Sequence, residues 1–125
     1  MKKILVAEDD KFLGNAYRVK LTKAGFEVQI ARDGQEATDM LQTFIPDIIL
    51  LDLVMPVKDG FSTLEEIKNN PQLKSIPVIV ASNLGQKEDT DRALSLGAND
   101  FIVKSDLSLN TLIEKIVGLV GAPTP

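Results

Sequence analysis

Five short apolar runs punctuate the chain: Ile4-Leu5-Val6-Ala7, Phe26 to Ile30, Ile48-Ile49-Leu50-Leu51, Val78-Ile79-Val80-Ala81 and Phe101-Ile102-Val103. Each has the length of a β-strand, and segments of helical length lie between them. Regular strand–helix alternation builds βαβ units and a parallel sheet. The first, third and fourth runs are apolar throughout, as strands covered on both faces are. Phe26-Glu27-Val28-Gln29-Ile30 instead alternates strictly, which suits an edge strand with one wetter face. The second strand is an edge in a doubly wound α/β fold of order 2-1-3-4-5, so the pattern predicts a five-stranded parallel sheet in that order, with helices on both faces.

The helix ends are readable as well. Asp10 caps a first helix whose buried stripe holds Leu13, Ala16, Tyr17, Leu21 and Ala24, and Gly25 stops it. Asp33, with Glu36 three residues on, starts a second helix carrying Ala37, Met40, Leu41 and Phe44. A third runs from about Gly60 to Asn69 and buries Phe61, Leu64 and Ile67. The fourth, around Gln86 to Leu96, is polar in its first half and has only Ala93, Leu94 and Leu96 as apolar anchors. It is expected to be the least firmly docked. The fifth begins at Ser108 and buries Leu112, Ile113, Ile116 and Val117. Residues 1–121 are read as one domain, and residues 122–125 as a disordered tail or the start of a truncated linker.

Composition narrows the chemistry. At 125 residues the chain is sized for a single core, and its net charge of −4 argues against direct contact with nucleic acid. There is no cysteine and no histidine, so thiolate or imidazole chemistry is excluded and any reaction must run on carboxylates, amines, hydroxyls and bound metal. The apolar run after Met1-Lys2-Lys3 is too short for a signal-peptide core, and no run is long enough to span a bilayer. A cytoplasmic location without membrane insertion is expected.

In a doubly wound sheet, ligands sit beyond the carboxyl ends of the strands, near the point where strand order reverses. Glu8 and Asp9 end the first strand and Asp52 ends the third, its neighbour in the predicted order. One such acid alone is an ordinary cap or loop residue. Three, each closing an apolar strand, converge on one rim and repel one another unless a hard divalent cation such as Mg²⁺ joins them. Ser82 after the fourth strand and Lys104 after the fifth share that rim. A hydroxyl and an ammonium there can bond a phosphoryl oxygen.

These residues resemble the receiver domain of two-component response regulators. The marks are Ile4-Leu5-Val6-Ala7-Glu8-Asp9-Asp10, Pro46 to Pro56 around Asp52, Asp59-Gly60, and Gly97-Ala98-Asn99-Asp100-Phe101-Ile102-Val103-Lys104. The likeness runs from Lys3 to about Gly118. It implies a flavodoxin-like (βα)5 fold, for which the order 2-1-3-4-5 is family knowledge as well as inference. It also implies Mg²⁺, with Mn²⁺ as a substitute, held by Glu8, Asp9, Asp52 and the Val54 backbone carbonyl. Asp52 is then the phosphoacceptor, taking the group from a histidine kinase or a histidine phosphotransfer protein. Lys104 neutralises the transferring group, Ser82 moves to bond it and Phe101 turns inward. That alters the surface of the fourth helix, fifth strand and fifth helix for a downstream protein, and pairing of two phosphorylated copies through that face is open to it.

The sequence also departs from the family pattern. Ser105 stands where proline usually follows the lysine, so the Lys104–Ser105 bond is expected trans, a cis bond there costing roughly 3 kcal/mol. Val54 and Leu84, each two residues after a site residue, are apolar, and Asn83 replaces a very small residue. No side chain at these positions orients a hydrolytic water, which predicts a long-lived phosphate. A degenerate receiver serving as a constitutive scaffold is the alternative, opposed by the retention of all five site residues. A hydrolase of haloacid-dehalogenase type would want an acid where Val54 stands.

Overall fold

The computed structural model describes residues 2–83, 86–106 and 108–121. Leu84 and the 122–125 tail lie outside the described residues. Five strands alternate with five helices: β1 (Lys3–Ala7), α1 (Lys11–Lys23), β2 (Glu27–Ala31), α2 (Gly34–Met40), β3 (Ile48–Leu51), α3 (Gly60–Asn69), β4 (Val78–Ser82), α4 (Lys87–Ser95), β5 (Asp100–Val103) and α5 (Leu109–Val120). The strands are parallel in the order 2-1-3-4-5. The predicted topology is the one observed.

Alternation along β1 shows how the sheet divides its core. Leu5 and Ala7 pack with Ala37, Leu64 and Ala93, from α2, α3 and α4. Ile4 and Val6 face the other way, with Tyr17 and Leu21 of α1 and Leu112 and Ile116 of α5. Every residue of β3 and β4 is buried, whereas Glu27 and Gln29 of β2 are exposed, as an edge strand requires.

The caps are physical. Asp10 accepts from the backbone N–H of Phe12 and Leu13, Asp33 from Glu36, Asp59 from Ser62 and Ser108 from Thr111. Gly25 and Gly97 carry φ of 105° and 109°, and each sits at the turn of a Schellman motif. In the first motif Phe26 N–H bonds the Leu21 carbonyl and Gly25 N–H bonds that of Thr22; in the second, Ala98 and Gly97 bond Ala93 and Leu94.

Three expectations need correction. Phe26 is not in β2: its N–H closes α1 while its ring is buried against that helix, so the ladder starts at Glu27. α2 stops at Met40, and Phe44 packs on the core from tight turns beyond the helix, where β-branched Thr43 and the approach to Pro46 disfavour another helical turn. Leu94 points outward and is 46% exposed, which leaves Ala93 as the one buried residue of α4 and Leu96 half-buried behind it. The thin docking expected of α4 is thinner still.

Candidate functional site

The ends of β1, β3, β4 and β5 meet at one rim. Glu8 follows β1 and is held by its N–H to the Ala31 carbonyl, while Asp52 follows β3 and is held by its N–H to the Ala7 carbonyl. Glu8 and Asp52 are 3% and 6% exposed, and Ser82, the last residue of β4, is fully buried. Asp9 is exposed. Carboxylate oxygens of Glu8, Asp9 and Asp52 lie within 4.8 Å of one another, the spacing of a shared cation site. An open cleft of about 300 Å³ is walled by these acids with Asp10, Val54, Ser82, Asn83 and Lys104.

Lys104 closes the cluster. It begins a short 3-10 turn, Lys104–Asp106, directly after β5. Its Nζ donates to Glu8 Oε1 at 2.5 Å and to Asp52 Oδ2 at 3.0 Å. No cis peptide bond is present among the described residues, so Lys104–Ser105 is trans as expected. Backbone groups finish the frame: Asp10 N–H reaches Glu8 Oε2 at 3.2 Å and Val54 N–H reaches Asp52 Oδ1 at 3.3 Å.

Burial pushes the Glu8 carboxyl above its usual range, the charge of Asp52 adds to that, and the bonds from Lys104 and the Asp10 N–H only partly offset it. The Lys104 ammonium is pulled down by burial, but its bonds to Glu8 and Asp52 outweigh that and raise it. One ammonium facing three carboxylates leaves two negative charges uncompensated. An all-oxygen donor set with that deficit suits a hard divalent cation and excludes a soft one.

Residues 4–117 match the response regulator receiver domain family. The chain belongs to that family. Response regulator RR06 of Streptococcus pneumoniae is 38% identical over 117 residues, covering 94% of this chain and 52% of that protein. The receiver domain of Francisella response regulator 1452 superposes with a TM-score of 0.88 at 32% identity, covering 96% of this chain and 97% of that one. The Mn²⁺-bound form of response regulator Rcp1 superposes at 0.82 with 35% identity, covering 94% and 91%. The chain spans about half or less of the curated relatives it matches, 14%, 51% and 52% of the first three. As a receiver domain it is a phosphoacceptor signalling switch of the two-component kind, a family that binds a divalent metal and takes phosphate from histidine kinases.

All five site residues singled out from the sequence reach the same rim, and a degenerate scaffold gains no support. Val54, 60% exposed, and exposed Asn83 line the mouth of the cleft. Phe101 is half-buried against the α2–α4 side of the core, paired in register with Val80 two residues before Ser82. Sequence reasoning misses two contributors. Asp10 reads as a cap only, yet it also walls the cleft. Tyr17 reads as core, yet its phenol senses the charges of Lys104, Glu8 and Asp52. No sequence signal separates that tyrosine from its apolar stripe.

Proposed function

We propose that Asp52 takes a phosphoryl group from a partner histidine in a Mg²⁺-dependent reaction, and that residues 1–121 are the unit that does so. The observation that carries this is a buried strand-end carboxylate tethered to a lysine ammonium, with two further carboxylates at cation-sharing distance. Glu8, Asp9, Asp52 and the Val54 carbonyl would hold the cation, which supplies charge neutralisation for the carboxylates and the transferring group. An Asp52 oxygen bonds to phosphorus as the P–N bond to the donor imidazole breaks, and that electron pair leaves on the ring nitrogen. Lys104 already stands on Asp52, so its charge needs no reorganisation to meet the incoming oxygens.

The readout runs along β4 and β5. The Ser82 hydroxyl turns to a phosphoryl oxygen, Phe101 turns inward beside it, and the α4–β5–α5 surface shifts its population between two states. α4, with one buried residue, is the element least able to resist. A downstream protein, or a second phosphorylated copy, reads that surface. No described helix is long and apolar enough to cross a membrane, in keeping with a cytoplasmic partner.

The test is incubation with Mg²⁺ and acetyl phosphate followed by intact mass. One acid-labile phosphate is expected on the wild type and none on Asp52→Asn or with EDTA; an unlabelled wild type, or a fully labelled mutant, overturns the reading. Val54, Asn83 and Leu84 set how long the phosphate lasts, and the apolar Val54 side chain at the mouth gives a hydrolytic water nothing to align on. Val54→Asn is expected to shorten the phosphate half-life by about tenfold, and loss from the wild type within seconds would contradict it.

A further inference from the structure

Beside the acceptor cleft, sharing Glu8 and Asp10 with it, lies a second and smaller cavity of about 110 Å³. Lys11, Asn15 and Arg18 reach it from α1, where their spacing of four and three places them on one helical face. Arg32 reaches it from the residue just after β2. Gly14, which is buried, leaves the floor between them without a side chain.

The electrostatics of this notch are lopsided. Its two acids are already engaged: Glu8 by Lys104 and the Asp10 N–H, Asp10 by the N–H groups of Phe12 and Leu13. Lys11, Arg18 and Arg32 take part in none of the ion pairs among the described residues. In a chain with 18 acidic and 14 basic residues, three cations that make no ion pair thus share the notch with two carboxylates, a local surplus of one positive charge.

We infer that this notch is a binding site for one small oxyanion, a carboxylate or a phosphate group. Two guanidinium forks match the paired oxygens of either group, Lys11 adds a point charge, and the Asn15 amide adds a neutral donor. The volume is sized for one such group. The site does not rest on the role of Asp52, although an anion seated there shares the Glu8 wall with the acceptor cleft. Its source is either an acidic side chain of a docked protein or a free inorganic ion.

The test follows the amide resonances of Gly14 and Asn15 at constant ionic strength, without divalent metal, in titrations with sodium sulfate and with a tetraglutamate peptide. Saturable shifts are expected in the wild type, weakened at least about tenfold in R18Q/R32Q. Both arginines are exposed and unpaired among the described residues, so that variant is expected to unfold at the wild-type temperature. Saturation by sulfate alone identifies a free-ion site, and tighter binding of the peptide identifies a protein carboxylate as the ligand. Shifts that never saturate with either probe, or that are the same in R18Q/R32Q, overturn the inference.

Discussion

The Lys104 ammonium lies between Glu8 and Asp52 with 12% of its side chain exposed, so two nearly buried carboxylates depend on one cation. A buried ion pair adds little net stability, but its partners cannot stand alone without large cost. Lys104 thus holds the site in a form that a divalent cation and a phosphoryl group can enter. A second residue bears on the same site from the β3–α3 loop. Val57 has φ of 69°, in the left-handed region that a β-branched side chain avoids, and is 82% exposed. The Lys58 N–H bonds the Pro56 carbonyl across it, the i to i+2 pattern of a strained γ-turn. Lys58 in turn bonds Thr38 and Glu66, and its carbonyl takes the Gly34 N–H, which fixes the loop in place. Because the side chain contacts little, Val57→Gly is expected to raise unfolding free energy by about 1 kcal/mol, relief of strain exceeding the added unfolded-state entropy. Urea unfolding reads this directly, and an unchanged or lower midpoint would show that the turn is not strained.

At the scale of elements, the start of α3 is built against the acceptor strand. Gly60 is the first residue of α3, and a Cβ there would lie 2.2 Å from the Asp52 carbonyl oxygen and 2.5 Å from Leu53 Cα. Both obstacles are backbone and cannot step aside. Gly60→Ala is therefore expected to cost roughly 3 kcal/mol and to weaken Mg²⁺ binding, since relief displaces the backbone of Asp52 itself. Gly118 of α5 faces open space, with nothing within 4 Å of where a Cβ would stand. Gly118→Ala is thus the contrast, expected to stabilise by about 0.5–1 kcal/mol. Equal effects of the two substitutions would remove the close-approach argument. The same elements show what the sequence could carry. Apolar runs and capping residues sufficed for the strand order, three of the four side-chain caps and the convergence of Glu8, Asp9, Asp52, Ser82 and Lys104, because each follows from short-range chemistry and one topological rule. Illegible were features that depend on partners outside the spacing of one helix or strand: Asn99, whose amide oxygen accepts from Val78 N–H, Lys68 reaching the Lys74 and Ile76 carbonyls, and Arg92 lying 4.0 Å over the Phe61 ring. Leu94 misled because a leucine at helical spacing is apolar whether or not anything covers it.

For the whole molecule, a parallel sheet puts every strand's carboxyl end on one side, so the site and the core behind it share one electrostatic environment. Tyr17 reports on that coupling. It is the chain's sole tyrosine and 3% exposed, packed between α1 and the sheet, and its phenol is pushed up from 10.0 to about 12. Burial is the main cause; the charges of Glu8 and Asp52 add to it, and Lys104 opposes it. A raised folded-state value means that the native protein keeps a proton the unfolded chain has already lost. The contribution of Tyr17 to stability is then fully present below pH 10 and is lost as pH rises through 10 to 12. At pH 11, ultraviolet absorbance should find about one-tenth of the native phenol ionised against about nine-tenths in urea. Lysines titrate in the same window, so Tyr17→Phe isolates the effect: the wild type should lose on the order of 2–3 kcal/mol more than the variant between pH 9 and pH 12. A native phenol that titrates near pH 10, or identical pH dependence in the two proteins, would show that the ring is not sealed behind the site.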